Sequence, residues 1–514
     1  MGLKVICTTS RSCALELENN FSYYNDQMVS VYLDNSFVFE TNKNVISLFD
    51  LKPSTKYQIK VGNDEITVQT KEETVCLNVL DFIPLNQEDH FVTNAFQAAI
   101  MSCPKNGCVY VPKGTYYVQP LFLKSDMTLY LEKGAVIKGD IERTNYAVLP
   151  GLVSNKKTGY EINLGTWEGD EVASFASLIS GLYVENVTIC GEGEINGNAT
   201  NGDWYQNHRV KRIAYRPFNL FFNRSNNIIC HGITSCNSPS WNVHPYFSKN
   251  LSFIDMKITN IPSMPTTDGL DPDTCFNVNI IGNYFSVGDD CIAIKSGQID
   301  FAKKYHTPCK QIIIRNCLME HGHGGVVFGS ESSGGIEDVY VSKCIFNKTD
   351  RGLRIKTRRG RGRYGIIDNV NFENIIMDDV LTPFVVNMYY NMGPAGGHEE
   401  YVWTKEKLPV DERTPYIGKF HFKNMKCLNT SYSAGVFLGL PEEPIKGITL
   451  ENIEFTYKKD AIKGSPVMIE HSYEVLKQGL DFHYVDEVII DNVSIKGAMT
   501  DEVLLDNVGK FIRK

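Results

Sequence analysis

The sequence predicts an all-β fold, a parallel β-solenoid behind a small N-terminal β-sandwich, and three observations point to it. From residue 226 onward a polar-apolar-x-apolar segment recurs, often with Asn at the polar position. No helical pattern of ten or more residues separates these segments. Short alternating strands broken by turn signals fill residues 1–73.

Within residues 1–73 the runs VSVYLDN, SFVFETN, KYQIKV and EITVQT alternate apolar and polar side chains, as strands with one buried face do. Leu51-Lys52-Pro53-Ser54-Thr55-Lys56-Tyr57 resembles the L-x-P-x-T-x-Y signature of fibronectin type III domains, whose tyrosine hydroxyl pins a corner between sheets. A different pattern starts near residue 77 and is expected to run to 514 as one domain. TNAFQAAIMSC, from Thr93, has helical spacing behind a threonine read as the N-cap, and the strand CVYVPKGTY follows. One helix ahead of many strands suits a solenoid, because an uncapped first coil presents an open strand edge.

The repeat segments are NNIICHGIT, KNLSFIDMKIT, FNVNIIGNYFS, KQIIIRNCLM, EDVYVSKCIF, DNVNFENIIM, KGITLENIEF and DEVIIDNVSI. In the first five, the third residue falls at 228, 251, 278, 312 and 339, with spacings of 23, 27, 34 and 27. Such intervals suit a coil of a few short strands with loops inserted at its corners. A doubly wound α/β fold needs a helix between strands, which this region lacks.

The 514 residues exceed one ordinary globular core, as an elongated repeat does. A formal net charge of −9 argues against a general nucleic-acid or anionic-membrane surface, so a polyanion would need a local basic patch. No run approaches the ~20 apolar residues of a membrane span. The opening MGLKVICTTS lacks the apolar stretch of a secretory signal. The chain as it stands is therefore expected in the cytoplasm, or secreted or periplasmic if a signal has been trimmed. Fourteen scattered cysteines without a C-x-x-C pair read as free, mostly buried thiols rather than a metal site.

Four motifs stand on consecutive candidate coils: Thr266-Thr267-Asp268-Gly269-Leu270-Asp271, Gly288-Asp289-Asp290-Cys291, Gly322-His323-Gly324 and Arg354-Ile355-Lys356. Glycosidic hydrolysis needs a protonated acid at the leaving oxygen and a carboxylate that activates water. Crowded carboxylates repel, so one of a group is expected to keep its proton. Asp289 and Asp290 are adjacent and share a site only if the strand bends, for which Gly288 is suited. Taken alone, the pair also reads as a solvated turn, and a glycine-flanked histidine as a turn residue.

Together the motifs resemble those of glycoside hydrolase family 28, the polygalacturonases, which read N-T-D, G-D-D, G-H-G and R-I-K in this order. The resemblance covers roughly residues 77 to 500. It implies a right-handed parallel β-helix of the pectin-lyase-like kind. It also implies Asp289 as general acid, Asp268 and Asp290 as holders of the water in an inverting displacement, and His323 beside the acid. Inversion sets an expected separation of ~6.5–9.5 Å between carboxyl groups. Arg354 and Lys356, two residues apart on one strand face, become clamps for a substrate carboxylate. Thr266 stands where the family has asparagine, which changes a supporting hydrogen bond.

The basic run continues through Arg358, Arg359, Arg361 and Arg363, and Arg359 and Arg361 are expected to extend the clamp into a funnel for polygalacturonate. His244 and Tyr389 are candidates for lining sugar subsites. The wording around these motifs looks like the bacterial exo-acting branch. The N-terminal domain and insertions such as residues 391–418 are expected to wall off one end of the groove. The implied function is exo-acting polygalacturonase, with no cofactor or metal, a polygalacturonate or oligogalacturonide substrate, no nucleic-acid or membrane partner, and an open oligomeric state. Alternatives are a rhamnogalacturonan or endo-acting hydrolase of the same family, a calcium-dependent pectate lyase, and a carbohydrate-binding solenoid.

Overall fold

The computed structural model describes residues 2–85, 90–392 and 398–514. Its N-terminal part is two antiparallel sheets. Gly2–Thr8, Cys13–Glu18 and Val45–Leu48 form one, and Ser36–Lys43, Tyr24–Leu33, Lys56–Val61 and Asp64–Gln69 form the other. Leu15, Leu17, Val31, Ile46, Leu48, Ile59 and Val61 fill the space between them. The strand Cys13–Glu18 shows no alternation because five of its six residues are buried. The Tyr57 hydroxyl accepts a hydrogen bond from the Lys52 N–H at 2.8 Å, the corner its motif suggested.

From Cys76–Asn78 onward the chain is a right-handed parallel β-helix. Ile228, Leu251, Val278, Ile312, Val339 and Val370 pair in direct succession. The uneven repeat spacing is therefore the length of each coil, and the differences are taken up at the corners. All six side chains point inward at 0–1 % exposure, each stabilising the coil stack by roughly 1.5–3 kcal/mol.

The recurrent asparagine precedes the inward residue at a corner. Asn227, Asn250 and Asn277 have φ of +57°, +56° and +57°, a left-handed conformation that asparagine tolerates better than most residues. Their amides link coils: Asn227 Nδ2 donates to Asn186 Oδ1, and Asn277 Nδ2 to Asn250 Oδ1, both at 2.8 Å. An amide serves because it donates to the preceding coil and accepts from the following one.

The helix Thr93–Ser102 buries Phe96, Ala99 and Ile100 over the first coil. Thr93 is its first helical residue and does not cap it. Its hydroxyl instead accepts the Gln119 N–H at 2.8 Å, pinning the helix to the following coil. No helix among the described residues is long and apolar enough to cross a membrane. All fourteen cysteines are free, and all but Cys76 and Cys236 are buried.

The N-terminal sheets dock on corners of the helix away from the four motifs. Glu16 accepts from Arg315 Nε at 2.8 Å and Asn316 Nδ2 at 2.7 Å, and Ser12 meets His231 at 2.9 Å. They do not wall the groove. An insertion over residues 147–175 does: it forms the hairpin Leu152–Ser154 with Glu161–Asn163 and lays Trp167 on Tyr215, Phe218 and Trp241, in one cluster with Phe221 and Tyr246. Phe301 and Tyr305 of the short helix Ile299–Tyr305 close over the same patch. Because Leu220, Phe222 and Val243 point into the core, Phe221 and Tyr246 are on the outer face that this insertion covers.

Candidate active site

The motifs converge on one outer face. Strands Asp290–Ile294, Gly324–Gly329, Arg351–Lys356 and Thr382–Asn387 lie in parallel, with Ala293, Val327, Arg354 and Val385 in direct register. Leu270 bridges Ile292, and the Gly269 N–H donates to the Asp290 carbonyl at 2.9 Å, which sets Asp268 beside Asp290 on the next coil. Asp268, Asp289 and Asp290 each offer an oxygen within 4.8 Å of the others.

The expected bend is present, and its cause is close packing. The regular strand begins at Asp290, leaving Asp289 in the preceding turn. A Cβ on Gly288 would stand 2.1 Å from the Met264 carbonyl oxygen, so only glycine lets the turn fold this tightly. Thr266 N–H donates to Asp289 Oδ2 at 3.1 Å, and its hydroxyl accepts from Arg216 Nη2 at 2.5 Å. The threonine that departs from the family motif thus fastens a buried arginine to the site.

The three carboxylates differ electrostatically. Burial works to raise Asp290, but Lys356 at 2.5 Å and Arg354 at 3.2 Å outweigh it and hold the group well below the usual carboxylate range. Burial, with Asp271 and Asp289 nearby, pushes Asp268 well above that range. Burial thus makes Asp268 weakly acidic, whereas the cations beside Asp290 make that group strongly acidic. Asp289 is half-buried, whereas Asp268 and Asp290 are 4 % and 0 % exposed.

Beneath the trio is a charged layer that the sequence reading missed. Lys295 Nζ lies 3.6 Å from Asp271 Oδ1 and 3.4 Å from Glu331 Oε2, over the Trp241 ring at 4.5 Å. Burial opposes charge on Lys295, and Glu331, Asp271, Asp268 and Asp290 together keep it protonated. Glu331, though buried, is drawn down to about 2 by Lys295 and Arg361. The available signal was charge inside strongly apolar segments, in Asp271-Pro272-Asp273 and Ile292-Ala293-Ile294-Lys295.

Several expected site residues stand elsewhere. The His323 N–H donates to the Asp289 carbonyl at 2.9 Å, but its exposed imidazole faces Asp350 at 3.8 Å. Arg359 is buried on Glu442, at 2.6 and 2.9 Å, and on the carbonyls of Tyr401, Thr404 and Glu406, so it anchors the insertion rather than substrate. Arg361 is buried against Gln298, which removes the expected funnel; of the basic run, Arg354 and Lys356 are the members that bond the trio. His244 is 1 % exposed, packed edge-on against Phe218 and Trp241, and the covering insertion keeps it from lining a subsite. Tyr389 is 1 % exposed beneath Lys405; its neighbour Tyr390 faces Lys356, with 5.9 Å from Nζ to ring centre. Within the expected insertion 391–418, of which 393–397 lie outside the described residues, residues 401–406 dock on Arg359 and Tyr389, while the wall beside the aromatic patch is the earlier insertion.

A parallel β-helix with three convergent carboxylates, one paired to two cations and one made weakly acidic by burial, is the equipment of a glycoside hydrolase. The family model of the glycosyl hydrolases family 28 matches residues 151–472, and the chain belongs to that family. A probable polygalacturonase of Vitis vinifera is 30% identical over 384 residues, 73% of each chain. An endo-polygalacturonase of Pectobacterium carotovorum subsp. carotovorum is 27% identical over 318 residues, 60% of this chain and 74% of that one. Among solved structures, the Yersinia enterocolitica family 28 exopolygalacturonase superposes with a TM-score of 0.66 at 19% identity, over 100% of this chain and 98% of that one. The exopolygalacturonase of Thermotoga maritima gives 0.63 at 23% identity, over 82% and 93%. These likenesses are of fold.

Proposed function

We propose that the enzyme hydrolyses α-1,4-galacturonide bonds of polygalacturonate or oligogalacturonides from the non-reducing end, releasing mono- or digalacturonate. The observation that carries the end-acting part is the covered groove. Phe218, Phe221, Trp241 and Tyr246, which an open groove would offer to sugar rings, are packed under Trp167 and Phe301. On the other side Arg354 Nη2 reaches Met468 Sδ at 2.6 Å, and Asn387 reaches the Met468 carbonyl at 3.0 Å, so a second segment overhangs the cations. A long chain threading through both ends would have to displace both.

Asp289, the half-exposed member, acts as general acid at the leaving oxygen. Asp290, ionised by Lys356 and Arg354, orients the water together with Asp268. Oxygens within 4.8 Å of one another are close enough for one water to bond two of them at ~2.8 Å each. That distance concerns the nearest oxygens and not the separation of whole carboxyl groups, so inversion is inferred from family membership. Arg354 and Lys356 also present N–H groups to a uronate.

A time course on unesterified polygalacturonate, resolved by anion-exchange chromatography against saturated and unsaturated standards, tests this reading. Saturated mono- or digalacturonate from the earliest point supports it. A ladder of saturated oligomers would mean endo action, unsaturated products a lyase, and no products would direct the search to rhamnogalacturonan.

A further inference from the structure

We infer that Glu168 is a specificity-determining residue that hydrogen-bonds the free C4 hydroxyl of the terminal galacturonate, admitting chain ends to the site. The inference rests on the end-acting reading above and says which side chain reads the end.

Glu168 occupies the tip of the covering insertion. Trp167 and Asp170 exchange two backbone hydrogen bonds of 3.0 Å, so Glu168 and Gly169 are the central pair of a two-residue hairpin. Their φ values of +47° and +83° make it a turn of the type I′ class, which favours Asn, Asp or Gly at the first central position. A glutamate there is conformationally disfavoured, and disfavoured backbone of this kind gathers where a side chain must be presented.

The tip is held rigidly over the charged layer. The Trp167 ring stacks on Tyr215 at 5.3 Å and Trp241 at 5.9 Å, and the Arg216 guanidinium sits 5.4 Å from its centre. Gln298 Nε2 donates to the Glu168 carbonyl at 2.9 Å. At Gly169 a Cβ would lie 3.0 Å from Glu331 Cγ, which places the turn directly above the Lys295–Glu331 pair.

A tether for the loop is the competing role, and the neighbouring cations argue against it. Lys295 is engaged by Asp271 and Glu331, and Arg216 by the Pro239 carbonyl and the Thr266 hydroxyl. The charges around the Glu168 carboxyl are Glu331, Lys295, Arg216 and Arg209; burial and Glu331 push it up to about 7 against the pull of the cations. Such a group both donates and accepts near neutrality, which suits a sugar hydroxyl.

The test compares kcat/KM for trigalacturonate with that for its analogue deoxygenated at the terminal C4. Wild type should disfavour the analogue by roughly 10- to 100-fold, the range for a hydrogen bond to a partly charged group. In Glu168→Ala the ratio should fall to within about threefold, with an unchanged melting temperature, and Glu168→Gln, which keeps a donor and an acceptor, should restore most of it. Should the alanine variant fail to fold, Glu168→Asp, with its shorter reach, is expected to lose the discrimination as well. A folded variant that discriminates as wild type does would overturn the inference while leaving end action intact. A ladder of products from the wild-type enzyme would overturn the end-acting reading itself.

Discussion

Lys356 and Asp290 are 66 residues apart in the chain, and Lys356 Nζ donates to Asp290 Oδ2 at 2.5 Å. Strand register makes the contact: Ala293 pairs with Val327 and Val327 with Arg354, so the basic strand lies two coils above the carboxylate. The ammonium that can receive a substrate uronate also keeps the base ionised.

Replacing Lys356 by Met therefore removes more than a binding contact. Asp290 is fully buried, and losing one partner of a buried pair costs roughly 3–5 kcal/mol. Both kcat/KM on oligogalacturonides and the melting temperature should fall. If only the melting temperature fell, Lys356 would be a structural cation.

Asp289→Asn should reduce kcat by about 10²- to 10⁴-fold with the fold unchanged, since a general acid contributes on that order. Proton NMR of the first product from wild type should show the anomer inverted relative to the substrate linkage. Retained configuration would transfer one aspartate to the role of nucleophile.

Alongside the depressed Asp290, Glu331 is expected to contribute to acid destabilisation of the fold. Its folded value of about 2 lies below the ordinary 4.5 because Lys295 and Arg361 outweigh burial. A depressed carboxylate stabilises the fold above its unfolded value, and the contribution fades as pH falls from about 4.5 toward about 2. Urea midpoints across that window should drop for wild type, whereas Glu331→Gln should be less stable at neutral pH and flatter below 4.5. Parallel curves would exclude this pair as the source.

Chelator should leave activity unchanged. Asp290 already bonds Lys356 and Arg354, so the trio is poorly prepared for a divalent cation despite its spacing. Loss of turnover in EDTA, recovered by calcium, would contradict the ion pairing described.

Arg359→Met should behave unlike Lys356→Met. Its loss strands the buried Glu442 and frees residues 401–406, so stability should fall while KM changes little. A large KM effect with normal melting would return Arg359 to the substrate.

Much of the solenoid was legible because its rules are local and repeated. An inward apolar position preceded by asparagine gives Ile228, Leu251 and Val278 their register without knowledge of the corners. The carboxylates and the R-I-K cations were legible because consecutive coils stack at fixed spacing. His244, Arg359, Arg361 and Tyr389 were misread for one reason: each is polar or aromatic near a motif, and sequence does not reveal an insertion lying over it.

By itself the sequence determined the coil register, the bend at Gly288 and the chemical identity of the trio, since these follow from backbone geometry within one or two coils. Tertiary structure alone decided which arginines face the groove, which aspartate is buried against the cations and where the groove is covered. Those outcomes depend on segments far apart in the chain, residues 147–175 over Trp241 and Glu442 beneath Arg359, and on the burial that sets the strength of every charge between them.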